Sequence, residues 1–404
     1  MQGISSASSE QSSAIAEVTT AIRLMDEMTQ HNAALVEETN AAIEQTEAQA
    51  VDLDKIVNVF RMDGSGEQAG VVLSTRVRLA RNVEGYAFSG RAREGERLRV
   101  LSQVRDALSA IPAARDGVLI RVDQLDEPDR LLLHERHVVS KELAALDTGS
   151  QPRSGAAVHV GRDVAIMVNE EDHLRIQAMR SGLDLDRAFA DARDIDVELG
   201  QRVPFAYHRE FGFLTACPTN VGTGLRASVL VHLPALVLTK EIGRVLVGLQ
   251  QVGLTYRGLY GEGSEVIGNL FQISNQTTLG KSEQDLLDYL QDIVRHVIEK
   301  ELEARKVLLR DAEYILEDKL WRAYGTLRYA RSLSFDEAMN FLSGVRLATG
   351  LKLIDGLSVY ILNELLVFTQ SAHLSAREGR VLSEDEASVV RAAFVRETLE
   401  RAAQ

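Results

Sequence analysis

From Ile15 to Phe60 apolar residues recur at alternating spacings of three and four. One line of positions runs Ile15, Ile22, Thr29, Val36, Ile43, Ala50, Val57; the other runs Val18, Met25, Asn32, Thr39, Thr46, Leu53, Phe60. Ten of these fourteen are apolar, so the segment reads as a long helix in a coiled coil, with Asn32 and the threonines setting register. GSGEQAG from Gly64 is Gly-rich with no apolar anchor and reads as a linker. Beyond it the period changes. AAVHV from Ala156 and VAIMV from Val164 flank a Gly-Arg-Asp reversal and read as two strands, which puts NEEDH at the exit of the second. FGFLTA from Phe211 and ASVLVHL from Ala227 read as further strands around a CPTNVGTG loop, where Pro218, Gly222 and Gly224 fit a turn. Ser282 to Asp285 and Ser334 to Glu337 have capping-box form ahead of helical apolar spacing. The expected organisation is a coiled-coil helix over 1–63, a linker over 64–70, a mixed α and β domain over 71–310 and a helical domain over 311–404.

Composition narrows the function classes. With 404 residues, 45% hydrophobic and 26% charged, the chain is long enough for two or three domains with real cores. Of the net charge of -14, residues 1–63 carry -8, from 3 basic and 11 acidic residues. That balance argues against nucleic acid as a partner. No apolar run approaches the length of a membrane span and the N-terminus lacks the form of a secretory signal, so a cytoplasmic protein with no membrane association is expected. The single cysteine, Cys217, cannot form an internal disulfide and is either a packed apolar residue or a reactive thiol.

Three stretches carry candidate chemistry: NEEDHLR from Asn169, CPTNVGTGLRAS from Cys217 and RGLYGEGSE from Arg257. They place two carboxylates, the cysteine and three arginines in what read as loops of one domain. This set suits phosphoryl transfer to a guanidinium. The acceptor nitrogen lone pair is delocalised over a cation whose pKa exceeds about 12, so it is a poor nucleophile until its proton is held and withdrawn. Two carboxylates gripping the planar fork can orient one nitrogen and accept its proton as the N–P bond forms, and Glu171 and Glu262 are the candidates. Taken singly, each Glu is an ordinary solvated side chain, the Cys a small buried apolar residue and each Arg a surface charge.

Together with VVLSTRVRLARN from Val71, these stretches resemble the signature segments of the phosphagen (ATP:guanido) kinase superfamily, in order and onward to the C-terminus. The resemblance implies an α+β fold in which an antiparallel sheet is flanked by helices, as in the phosphagen kinase and glutamine-synthetase-like catalytic fold, followed by a helical C-terminal domain. It implies Glu171 and Glu262 as guanidinium clamps, and Cys217 as a thiolate that polarises and positions the guanidinium without forming a covalent intermediate. It also implies that Arg76, Arg78, Arg175, Arg226 and Arg257 cradle the phosphates of ATP, with Mg2+ bridging phosphate oxygens and no dedicated protein cage for it. Neither a Walker A motif nor a protein-kinase catalytic set is present.

Within the superfamily the chain looks most like the bacterial protein-arginine kinases. Small-substrate members carry an extra helical domain whose loop closes over the substrate, whereas here the segment before Val71 has no globular pattern. An uncovered site would admit a protein side chain, and the helical region with NELLVFTQSAHL from Asn363 points the same way. The implied partners are protein substrates bearing arginine, which would be marked for a Clp protease, a Clp ATPase and a zinc-binding activator protein, with a homodimer as the expected assembly. The family's RDxxRA motif, a phosphoarginine pocket, here reads ASVVRA from Ala387, so Ala387 and Ser388 replace its Arg-Asp pair while Arg391 and Ala392 remain. Control by phosphoarginine is thereby in doubt. Residues 1–63, with Glu37 and Glu38 between small residues, resemble the descending cytoplasmic helix of methyl-accepting chemotaxis proteins. The alternatives are a kinase of free arginine or another small guanidino compound, and a catalytically idle scaffold joined to chemotaxis arrays.

Overall fold

The computed structural model describes residues 70–146, 151–258 and 266–402. The coiled-coil reading over 1–63, most of the linker and Glu262 lie outside the described residues.

Eight strands form one sheet in the order β2-β3-β4-β5-β1-β8-β10-β9. They are β1 (Val72–Arg81), β2 (Val118–Arg121), β3 (Ala157–Val160), β4 (Val164–Val168), β5 (Leu174–Ser181), β8 (Leu225–His232), β9 (Leu254–Arg257) and β10 (Leu270–Asn275). Every neighbouring pair is antiparallel. A short hairpin, β6 (Tyr207–His208) with β7 (Gly212–Phe213), stands apart. FGFLTA thus contributes only two residues of strand: Gly212 sits at φ +72° and Phe213 bridges to Gly222, which turns the chain toward the cysteine loop.

Strand side chains alternate between faces, and directly opposed residues share a face. In β1 this splits STRVRLAR into two surfaces. Val77 and Leu79 point to the back of the sheet, where they join Leu174, Ile176, Ala227, Val229 and Ile273 in the main core. The helices α3 (Leu185–Gly200) and α6 (Glu283–Tyr329) cover that back through Ala188, Ala192, Ile195 and Leu199, and through Leu287, Leu290, Val294 and Ile298. Truncating a side chain such as Leu79 to Ala would cost about 2–5 kcal/mol. Arg76 and Arg78 point to the front. The remaining early helices are α1 (Glu94–Ser109), α2 (Glu127–Glu135), α4 (Pro234–Leu238) and α5 (Ile242–Gln251).

Ser282 caps α6 as expected: its hydroxyl accepts from the Asp285 N–H while the Asp285 carboxylate accepts from the Ser282 N–H. The helix runs 47 residues but breaks helical geometry at Ala312 (φ -146°, ψ 31°). Beyond that bend its Leu316, Leu320 and Leu327 build a second core with α7 (Phe335–Gly350), α8 (Val359–Phe368) and α10 (Glu384–Ala402). The other capping box, Ser334 with Glu337, opens α7, and α9 (Ser371–Glu378) completes the helices.

Candidate active site

The front of the sheet is a field of arginines. Arg78 on β1 lies opposite Arg226 on β8, and Arg76 lies opposite Ser228. On the other flank Arg175 of β5 pairs with Ala80, and Gln177 with Arg78. Arg257 on β9 lies opposite Gln272 of β10. All five arginines line one cleft of about 1220 Å3, together with Glu170, Glu171 and Cys217. Arg175, Arg226 and Arg257 therefore occupy strands, not the loops their motifs suggested. The strand pleat is what aims them at a common point.

Such crowding is costly for cations. Burial, and then the neighbouring Arg175 and Arg226, lower Arg76 to about 10. Arg78 is pushed well down by burial and by Arg76, Arg175 and Arg226. The Nε atoms of Arg76 and Arg78 are buried with no hydrogen-bond partner. Arg175 differs: burial works against its charge, but Glu170, Glu171 and Asp172 outweigh it and raise its pKa. An anion with several acceptor oxygens would satisfy this face.

The loop between β4 and β5 is locked by its own polar residues. Asn169 adopts a left-handed φ of 60°, which Asn tolerates, and its Nδ2 donates to the carbonyls of Arg97 and Gly155. Glu170 is buried; Oε1 accepts from Ser140 Oγ at 2.7 Å and Arg175 Nη1 at 2.6 Å, and Oε2 accepts from the Glu171 N–H at 2.7 Å. Glu171 is left reaching into the cleft, its side chain 45% exposed and 3.4 Å from Arg175 Nη2. Burial raises its pKa, Arg175 opposes this, and Glu170, Asp172 and Glu142 add to it.

Asp172 connects this loop to the cysteine. Its Oδ1 accepts from Asn82 Nδ2 and from the Ala216 N–H, both at 2.6 Å, the latter one residue before Cys217. Burial raises the Asp172 pKa against these hydrogen bonds. Next in sequence, His173 Nδ1 accepts from the Val83 N–H, so Nε2 carries the proton and donates to Ala87 O. Cys217 is half-buried with Sγ 3.1 Å from Thr219 Oγ1, at the head of a 3-10 turn over Pro218–Asn220. Gly224 then returns the chain to β8 at φ +66°, where a Cβ would lie 2.6 Å from Ala80 O, a contact only glycine avoids.

Of the eight residues singled out in the sequence, seven line this cleft; Glu262, five positions past Arg257, lies outside the described residues. The sequence reading missed Glu170 and Asp172, whose only signal was their place inside NEED. It also missed His137, at a left-handed φ of 57° on the cleft wall and lowered to about 3 by burial and then by Arg76 and two histidines.

Comparison with known proteins agrees with this geometry. Residues 99–304 match the ATP:guanido phosphotransferase C-terminal catalytic domain, and residues 313–404 match the protein-arginine kinase McsB C-terminal domain. The chain is 42% identical over 340 residues to a protein-arginine kinase of Bacillus subtilis, covering 84% of this chain and 92% of the relative. It is 45% identical over 344 residues to one of Moorella thermoacetica, covering 84% and 96%. Among solved structures, lombricine kinase superposes with a TM-score of 0.51 at 25% identity, covering 61% of this chain and 71% of that one. The duplicated taurocyamine kinase of Schistosoma mansoni shares the fold, with a TM-score of 0.53 at 24% identity over 69% of this chain and 40% of that one. An antiparallel sheet with an arginine face, the locked NEED loop and these matches together make the chain a member of the protein-arginine kinase family of ATP:guanido phosphotransferases.

Proposed function

We propose that the cleft transfers the γ-phosphoryl group of Mg-ATP in line to the guanidinium of arginine side chains in proteins. The observation that carries this reading is the convergence of Arg76, Arg78, Arg175, Arg226 and Arg257 on one sheet face with Glu171 and Cys217 at the same cleft. The arginines bind the nucleotide phosphates and balance charge on the equatorial oxygens of the transferring group. Glu171 and Glu262 hold the guanidinium by its N–H groups, and Cys217 offers a third negative contact. As the N–P bond forms, the bond from Pγ to the bridging oxygen breaks and ADP leaves with that electron pair. The proton on the attacking nitrogen passes to the gripping carboxylate. Mg2+ would enter with the nucleotide and would supply charge compensation to its phosphates. Holding both reactants in line accounts for about 7–11 kcal/mol of barrier lowering.

The same reading divides the chain into a catalytic domain over 71–310 and a helical domain over 311–404, preceded by a coiled-coil helix and linker. It places the protein in the cytoplasm as a homodimer, with an activator protein and a Clp ATPase as partners. Among the described residues no helix is long and apolar enough to cross a membrane. The test incubates the full chain with Mg-ATP and either an unfolded arginine-rich protein or free arginine, and assays acid-labile phosphate. Labelled protein is expected. Labelling of free arginine alone, or of neither, would sink the reading. Alkylation of Cys217 is expected to block labelling, and Mg-ADP with an arginine peptide to protect against the block.

A further inference from the structure

A second cluster of buried cations lies outside the catalytic cleft, where β8, α6, α7 and α8 meet. Ser343, Arg346 and Gly350 follow one another along one face of α7. Arg305 on α6 lies against that face, its Nη1 3.0 Å from where a Cβ on Gly350 would stand. His232, at the end of β8, is 2.8 Å from Ser343 Oγ through Nε2. Arg305, Arg346 and His232 are each at least 96% buried.

Acceptors are too few for these donors. Among the described residues Glu301 is the one carboxylate paired in the cluster, and both its oxygens are engaged: Oε1 accepts from the Ala235 N–H and Arg305 Nε, and Oε2 accepts from the Leu236 N–H. Arg346 spends one nitrogen on Asn363 Oδ1 at 2.6 Å. Asn269 Nδ2 donates to Ser343 Oγ; in the tautomer where the serine proton goes to His232 Nε2, the ring proton sits on Nδ1. Four buried atoms then remain without a partner: Arg305 Nη2, Arg346 Nε, Arg346 Nη2 and His232 Nδ1. The three arginine nitrogens are donors, and His232 Nδ1 is a fourth in that tautomer. Two arginines against one glutamate also leave a positive charge uncompensated where water cannot screen it, and buried polar atoms in native proteins are almost always paired.

We propose that Arg305, Arg346 and His232 form a binding site for a small inorganic anion that joins the catalytic sheet to the C-terminal helices. The anion accepts from the four unpartnered donors and balances the excess charge. The same region accounts for the electrostatics of its residues: burial and then Arg305 lower Arg346 to about 9, and burial with both arginines holds His232 neutral. A halide and an oxyanion such as phosphate share this chemistry.

The test crystallises the full chain, saturated with Mg-ADP to occupy the catalytic arginines, from bromide and separately from phosphate in otherwise halide-free buffer. A bromide anomalous peak, or phosphate density, within hydrogen-bond distance of these four atoms is expected, and identifies which class binds. Water or no density there in both crystals overturns the proposal. In solution the ADP-saturated protein should show a saturable rise of a few degrees in melting temperature with the binding anion at constant ionic strength. Arg346→Met should abolish that dependence. If the variant does not fold, the crystals decide alone.

Discussion

Two sets of arginines, one wholly and one partly withdrawn from water, have opposite meanings in this protein. Arg391, in the C-terminal helices, is completely buried, and each of its nitrogens donates: Nε to Thr369 O, Nη1 to Leu333 O and Nη2 to Ser371 Oγ. It staples α10 to the segments that start α7 and α9. Arg76 and Arg78 are half-buried and face the cleft, yet their enclosed Nε atoms have no partner and their neighbours are other arginines. A satisfied buried arginine contributes to the fold. In the proposed function an unsatisfied one is held in place by the fold, at a cost in stability, to meet an anionic ligand.

That contrast is open to a direct attack on both sides. Arg78→Met removes a like charge from a crowded face, so the melting temperature should stay level or rise. Its kcat/KM for the phosphorylation of protein should fall about 1000-fold, near 4 kcal/mol, as when one preorganised donor is removed from a transition state. A variant that melts lower and phosphorylates normally would reverse the reading. Arg391→Met should do the opposite, losing about 2–4 kcal/mol of stability because Thr369 O and Leu333 O are left unpaired. Activity per folded molecule, assayed well below the transition, should be preserved. Chemical denaturation beside steady-state kinetics separates the two outcomes.

The contrast also shows how far the sequence could be read. Capping boxes at Ser282 and Ser334 were legible because their signal is local, three residues wide and independent of the rest of the fold. The residues that line the cleft were legible as motifs, but their placement was not. Arg175, Arg226 and Arg257 look like loop residues beside Gly, Asn and Asp. What puts them on one face is the register of β1 with β5 and β8, and of β9 with β10, which depends on residues far apart in the chain. FGFLTA has the composition of a strand, but Gly212 takes a left-handed turn and most of the segment goes elsewhere. Arg391 stood out only as one of the two residues retained in ASVVRA; its bonds to two other segments have no sequence signature.

Asp172 lies between the two kinds of residue, structural in its bonds and adjacent to the chemistry. It is fully buried and does not line the cleft. It fixes the distance between the Glu171 loop and the Cys217 loop through the Ala216 N–H, so it acts as a positioning residue. Asp172→Ala should reduce kcat by about 100-fold, the order expected when reacting groups drift by an ångström, with KM for ATP little changed. Asp172→Asn keeps an acceptor oxygen and should recover a large part of the loss. Equal losses in both variants, or a loss confined to KM for ATP, would mean the strut has another role.

The smallest expected effect concerns pH. In the proposed transfer Glu171 must be ionised to accept a proton, and burial raises its pKa above the ordinary 4.5, with Arg175 opposing and Glu170, Asp172 and Glu142 assisting. Activity is present when the carboxylate is deprotonated, so kcat/KM should fall as pH drops through a midpoint higher than 4.5, not at or below it. Glu142 is exposed and contributes least to the shift. Glu142→Gln removes one of the charges that hold the proton on Glu171, so the acid limb should move slightly toward lower pH with its plateau unchanged. A limb that moves the other way, or a plateau that collapses, would show that Glu142 meets the substrate itself and that the field around Glu171 is set by different groups.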